Sequence, residues 1–353
     1  MRERKIQRKF SCERSRWRGM VLLLYFLVGI LFVSGAGIGV VSVCVASDHG
    51  NFRFGSRDKA YGIHFVDDRR GWIVGDMGIA AMTTDGGENW QRMAISGERP
   101  FKDIFFVGDA GWIVGDGGLI LHSDDGGKSW DKQASGVRVA LMRVFFLNRD
   151  KGFTVGADGT VLKTDNGGSS WEFVSLDWMK LLPGNLIEKG VISINLYDIF
   201  FSDESSGWIV GDCGTILYTS DGGKRWGVSQ IGSLPSLFSV FFKNRREGWA
   251  VGQNGFFLKT DDGGRTWKNG SVKTGEDLYK IFMRGDYGVI VGDHGVMIKT
   301  NDGGATWLTG VAPNLRLPFP WLADAWIITN ARSAKIIAIG KGVIIKAGFL
   351  PER

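Results

Sequence analysis

The chain has 353 residues, 53 of them glycine and only seven proline, with 23% charged side chains. That balance excludes a disordered, collagen-like or linker polypeptide and predicts many short strands joined by tight turns. The net charge of +6 is confined to residues 1–18, with eight basic and two acidic side chains; the rest carries 35 of each sign and has no excess to neutralise phosphates, which excludes a nucleic-acid partner.

Residues 1–19 read as a basic cytoplasmic tail. Met20 to Ala46 holds no charged residue and, at about 1.5 Å per residue, is long enough as a helix to cross a hydrocarbon core of about 30 Å. The positive-inside rule then places the remainder on the extracytoplasmic side, whether periplasmic, lumenal or external, as a single-pass membrane protein. A cleaved secretory signal is the alternative, with Ala36 and Ala46 tolerable as cleavage positions. The apolar run exceeds the usual signal core of about 7–15 residues, which favours an anchor. Cys44 follows Val41-Ser42-Val43, where a lipobox needs a small residue in place of Val43. Cys12 and Cys213 fall on opposite sides of the membrane, so no disulfide framework is expected.

From residue 50 to 350 the chain repeats. Thr83-Thr84-Asp85-Gly86-Gly87-Glu88-Asn89-Trp90 recurs in variant form five more times, closing at Trp130, Trp171, Trp226, Trp267 and Trp307, with spacings of 40, 41, 55, 41 and 40 residues. Ahead of each box stands a Val-Gly step (Val74-Gly75, Val114-Gly115, Val155-Gly156, Val210-Gly211, Val251-Gly252, Val291-Gly292). Ahead of that comes an apolar run such as Ile104-Phe105-Phe106 or Val240-Phe241-Phe242, with His64 in one aromatic slot of the first unit. Each unit of about 40 residues thus predicts four antiparallel strands, the size of one propeller blade. A seventh copy, Ala338 to Lys346, matches Val291 to Lys299 but lacks a box. The segment 51–54 is expected to supply its missing outer strand and close the ring. The fold class is therefore an all-β seven-bladed β-propeller preceded by one N-terminal transmembrane helix.

The box carboxylates Asp85, Asp125, Asp221, Asp262 and Asp302, with Asn166 in the third box, are expected to accept backbone N–H bonds across the turn between third and fourth strands. The closing tryptophans are expected to lock the outer strand by burial. These twelve residues read as structural, since one catalytic group repeated six times makes no chemical sense.

These boxes are the Asp-box, or bacterial neuraminidase repeat. The recurring Phe-Phe, Gly-Trp-Ile-Val-Gly-Asp and Thr-x-Asp-Gly-Gly-x-x-Trp pattern resembles the photosystem II stability and assembly factor family over residues 61–310, and more weakly over 327–347. The resemblance implies a seven-bladed propeller delivered across a membrane, with a chaperone-like role in binding an immature membrane-protein subunit or complex. The long basic tail and Cys44 depart from lipid-anchored bacterial members.

A glycan-binding or glycoside-hydrolase-like Asp-box propeller is the alternative. The Arg-Ile-Pro element of sialidases is absent, Arg99-Pro100 being the nearest approach, and no Tyr/Glu pair is recognisable. His49, His64, His122 and His294 lack metal-ligand spacing, and there is no nucleophile elbow, P-loop or CxxC. No catalytic residue, metal, cofactor or small-molecule substrate is assigned, and the chain is read as non-enzymatic. Three surface features are candidates for a membrane-protein partner. The second-to-third turns place Asp76, Asp116, Asp158, Asp212 and Asp293 on one face. The opposite face carries the first-to-second loops with Arg69, Arg70, Arg149, Arg245, Arg246 and Arg284, a possible basic patch. Two long connections on the acidic-turn face bear Trp178, Met179, Leu181 and Leu182, and Phe319 and Trp321; packing over the channel mouth is their bland reading.

Overall fold

The computed structural model describes residues 52, 54–95, 99–232, 234–309, 321–330 and 333–349. The basic tail, the expected membrane segment and Phe319 lie outside the described residues. Among the described residues no helix is long and apolar enough to cross a membrane.

Among the described residues seven antiparallel sheets follow one another along the chain, six of four strands and the last of three. Blade two is representative, with strands Phe101–Val107, Ala110–Gly115, Leu119–Ser123 and Asp131–Gln133. The innermost strands are Ala60–Phe65, Phe101–Val107, Leu141–Phe146, Leu196–Phe201, Leu237–Phe242, Leu278–Arg284 and Leu322–Asn330. Each packs against the next and the seventh against the first, so the ring closes.

Aromatic pairs hold neighbouring blades together. Trp72, Trp112 and Trp208, on second strands, stack at 3.7, 3.5 and 3.4 Å on Phe106, Phe146 and Phe242 of the following blade. Their indole N–H groups donate to the carbonyls of Gly126, Gly167 and Gly263 in that blade's box. The box tryptophans Trp130, Trp171 and Trp267 meet the same phenylalanines edge-on at 5.8–5.9 Å. Stacked and edge-on geometry adds about 0.5–1.5 kcal/mol per pair beyond area burial.

The seventh junction is built differently. Lys335 Nζ donates to the Gly86 carbonyl at 2.9 Å and to Glu88 Oε1 at 2.6 Å, and Lys346 Nζ meets Glu88 Oε2 at 2.8 Å. On the acidic-turn side, Lys59 bridges Lys341 and the Gly342 N–H donates to the Asp58 carbonyl. Of the segment expected to close this blade, Phe52 is buried with Ile328, Ile337 and Ile339, and Phe54 packs against the same cluster. Gly340, paired with Leu322, occupies the place that Gly292 holds opposite Leu278. The sequence match had put Ile339 there; the seventh turn is one residue shorter, which shifts the alignment.

The inner strands line the axis in three layers. Nearest the first-to-second loops, His64, Phe105, Phe145, Phe200, Phe241, Phe282 and Trp326 form a closed ring with neighbouring centroids 4.4–5.8 Å apart. The middle layer is polar and is described below. The third layer arises from a β-bulge near the start of every inner strand: Leu278 pairs with Gly292 and Lys280 with Val291, leaving Tyr279 unpaired, and the same shift recurs in all seven blades. Glycine opposite the bulge is obligatory, because a Cβ on Gly252 would lie 2.0 Å from the Ser236 carbonyl oxygen. The bulges present Tyr61, Lys102, Met142, Tyr197, Phe238, Tyr279 and Ala323 at the mouth beside the second-to-third turns, all partly exposed.

Candidate functional site

The boxes form closed local networks. In the first, Thr83 Oγ1 donates to Asp85 Oδ1 at 2.7 Å and accepts from the Gly87 N–H at 3.0 Å. Asp85 accepts the Asn89 N–H and side-chain amide. The pattern repeats with Ser129 on Asp125, Arg225 on Asp221, Thr266 on Asp262 and Thr306 on Asp302. Asn166 accepts the Ser170 N–H at 2.9 Å, so the amide serves in place of the carboxylate. The bonds from the Arg225 backbone and side chain hold the Asp221 carboxyl down at about 2. At Asp302 burial pushes upward, but the bonds from Thr306 and Thr300 outweigh it and the result is again about 2. The first glycine of each box donates its N–H to a first-to-second loop carbonyl of the same blade, as Gly126 does to Asp109. Boxes and arginine loops therefore share one face.

Much of the charge on that face is locally spent. Arg70 binds Asp67 at 2.9 Å and Asp109 of the next blade at 2.7 Å. Arg245 binds Asp203 at 2.8 Å, and Arg284 binds Asp68 at 2.9 Å and the Ile327 carbonyl. Arg69 and Arg246 donate to the carbonyls of Thr84 and Asp261. Arg69, Arg149 and Arg246 have no carboxylate partner among the described residues.

The first long connection folds into two short helices, Trp178–Leu181 and Gly184–Glu188. Leu182 and Leu186 are buried with Ile194, and Trp178, Ile187, Val191, Cys213 and Ile231 pack around them. Leu181 is half-buried, while Met179 and Ile192 remain exposed at 58% and 75%. In the second connection Trp321 stacks on Tyr61 at 5.7 Å with planes 8° apart. Among the described residues of these connections, the free apolar surface is chiefly Met179 and Ile192.

Around the acidic-turn mouth, Asp76 and Asp116 lie beside Lys59 and Lys102, at 3.8 and 3.4 Å. Asp212 accepts from the Tyr197 hydroxyl, Asn195 and Ser236. His294 Nδ1 lies 2.7 Å from Glu276 Oε2 and 3.5 Å from Asp293 Oδ2. Asp158 is exposed. Glu276, Asp293 and His294 make up the donor cluster that could hold a metal among the described residues.

Sequence reasoning missed the middle axial layer. Gly62, Asp103, Arg143, Asp198, Ser239, Lys280 and Asp324 occupy the same register, immediately after the bulge. Arg143 binds Asp103 at 3.1 Å, Asp198 at 3.1 Å and Asp324 at 3.2 Å; Lys280 adds a bond to Asp198 at 3.2 Å. Several of these side chains also accept an N–H from the next inner strand: Val144 to Asp103, Val240 to Asp198, Ile281 to Ser239. Inner edges that would otherwise carry orphan donors are satisfied this way. Burial pushes Asp103 up to about 6 against the pull of Arg143. Burial, then Arg143, lowers His64 to about 3, so it is a neutral, packed ring member as its slot suggested.

This geometry has close counterparts among known proteins. A solved structure titled "YCF48 bound to D1 peptide" is 17% identical, with a TM-score of 0.66 over 84% of this chain and 94% of that one. YCF48 from Cyanidioschyzon merolae is 19% identical, with a TM-score of 0.67 over 83% of this chain and 95% of that one. An ancestral GH74 enzyme, 12% identical, superposes with a TM-score of 0.63 over 88% of this chain but 46% of its own. At these identities the likeness is one of fold. No curated protein sequence matches the chain. The family model for photosynthesis system II assembly factor YCF48 matches residues 45–138, 183–237 and 230–322, most of the chain, including five of the six boxes and five of the seven bulged inner strands. This chain belongs to the photosynthesis system II assembly factor YCF48 family.

Proposed function

We propose that the chain is an extracytoplasmic assembly or scaffold factor that binds a segment of a membrane-protein partner, held at the membrane by residues 20–46. Family membership over most of the chain carries this reading, and a related propeller bound to a D1 peptide supports a peptide segment as the ligand. The geometry is consistent with binding rather than hydrolysis, since the box carboxylates are saturated by their own turns. The uncharged run behind a basic tail supports the anchor. Among the sequence candidates that are described, Met179 offers the freest apolar contact, and Arg69, Arg149 and Arg246 the least compensated charge.

Pulldown from solubilised membranes tests the reading, with wild type beside a Met179→Glu/Ile192→Glu variant, whose two sites are exposed. Recovery of a membrane protein by wild type, reduced in the variant, is expected. Retention on a glycan array with no protein recovered would overturn it in favour of a carbohydrate-binding propeller.

A further inference from the structure

One arc of the acidic-turn mouth combines two features. Blades four to six present a continuous aromatic ledge: Tyr197 meets Phe238 at 5.3 Å and Phe238 meets Tyr279 at 5.7 Å. All three are bulge residues, turned out of the strand ladder and left partly exposed. The rim beside this ledge is acidic. Glu276, Asp277 and Asp293 come from the connection into blade six and its second-to-third turn. Burial, followed by the fields of Asp293, Asp277 and Glu276, pushes the Tyr279 hydroxyl up to about 12. In blades one and two the equivalent carboxylates Asp76 and Asp116 already sit beside Lys59 and Lys102. In blade six Glu276 and Asp293 lie against the imidazole of His294, at 2.7 and 3.5 Å, and have no lysine or arginine partner among the described residues. The buried Lys280 below is committed to Asp198. The arc is therefore apolar at its floor and electronegative at its edge.

Aromatic faces attract alkylammonium and guanidinium groups and cover the methylene stems behind them. Lys102 shows the pairing within this mouth, its Nζ standing 5.0 Å from the centroid of the Tyr61 ring. We propose that the mouth between blades four and six is a docking surface for a cationic peptide segment, with lysine or arginine stems on Tyr197, Phe238 and Tyr279 and their charges toward Glu276, Asp277 and Asp293. The inference deepens the proposed function by giving the bound segment its chemistry, and rests on that reading only for the partner being a protein.

The test uses the full chain in a neutral detergent and fluorescence anisotropy of two labelled ten-residue peptides, one alternating Lys and Ala and the other Glu and Ala. Charge complementarity and the aromatic floor together predict about tenfold tighter binding of the Lys peptide. Glu276→Gln with Asp293→Asn should weaken it about tenfold and flatten its salt dependence. Phe238→Ala should weaken it about fivefold or more. Asp124→Asn, which neutralises a carboxylate on the opposite face, should leave it unaltered. Equal affinity for both peptides, no binding of the Lys peptide, or full affinity in a folded Glu276→Gln/Asp293→Asn variant overturns the inference. A membrane protein recovered in the pulldown alongside failure here would remove the inference and leave the assembly-factor reading standing.

Discussion

Arg143→Met removes one side chain that ties blade three to blades two, four and seven across the axis. Its three carboxylate partners are 2–4% exposed, and only Lys280 remains to offset them, through Asp198. Breaking a buried pair by deleting one partner costs about 3–5 kcal/mol, because the other charge stays buried and uncompensated. Proton uptake limits that cost, and this gives the prediction a pH dependence. Asp103 has a folded pKa of about 6 against 3.8 for the free carboxyl. A raised carboxyl pKa means that the folded state holds the proton more tightly, so stability falls as pH rises from about 4 to 6 and levels off above. Without Arg143 that pKa rises further, and the falling limb extends beyond pH 6. Denaturant titration followed by tryptophan fluorescence should show a loss of about 3–5 kcal/mol at pH 8. The gap to wild type should narrow by about 1–2 kcal/mol at pH 5.5. Adding Asp103→Asn should recover part of the loss at pH 8. A loss under about 1 kcal/mol at pH 8, or one equal at both pH values, would refute an electrostatic clasp at the axis.

Other tests follow from the same contacts. Thr300→Val leaves the Gly304 N–H without its hydroxyl acceptor and should lower stability by about 1–3 kcal/mol in the same titration. The depressed carboxyls Asp221 and Asp302, at about 2, contribute stability that is full above pH 4 and lost as pH falls toward 2; acid unfolding of wild type should therefore steepen in that window. Trp112→Phe deletes an N–H bond to Gly167, whereas Trp249 Nε1 has no partner among the described residues. The first substitution should cost about 1 kcal/mol more than Trp249→Phe, compared by thermal unfolding. Gly252→Ala drives a Cβ to 2.0 Å from the Ser236 carbonyl and should reduce the melting temperature more than any of these, or abolish soluble expression.

What could be read in the sequence depended on whether identity repeats with the fold. The box, the Val-Gly step and the Phe-Phe pair recur as the same residues in most blades, so blade number, turn position and the acceptor role of the box carboxylates were legible. The middle axial layer recurs only as a position. Its occupants are Gly62, Asp103, Arg143, Asp198, Ser239, Lys280 and Asp324, and no similarity between copies marks them. Partners as far apart as Arg143 and Asp324 meet only because the ring closes. The available signal was a charged or small residue just ahead of the Ile/Val of six inner strands, and ahead of Ala325 in the seventh, where an ordinary buried strand carries neither. The pairing of the arginine loops was hidden for the opposite reason. Their residues were plain, but the acids that pair with them, Asp109 for Arg70 and Asp203 for Arg245, come from neighbouring blades. The Trp178 connection hid its packing likewise, since Cys213 and Ile231 beneath it are distant in sequence.

The glycine of the Val-Gly step couples the stable part of the fold to its presenting face. On the box face the polar groups of the boxes themselves are consumed. Turn amides go to hydroxyls and loop carbonyls, carboxylates to the box itself, and indoles or lysines to the next blade's glycine carbonyls. Such a face resists change because each group satisfies another that is buried. At the other end of the inner strand, the missing Cβ lets the chain before the strand approach the second strand, and one residue bulges out of the ladder. That residue is freed from register, so it can differ from blade to blade without altering the pairing of its neighbours. Tyr61, Lys102, Met142, Tyr197, Phe238, Tyr279 and Ala323 use this freedom, whereas the phenylalanines that bind adjacent blades do not. A repeat built this way keeps its framework uniform while seven positions at one mouth vary independently, which is where a change of ligand chemistry costs the fold least.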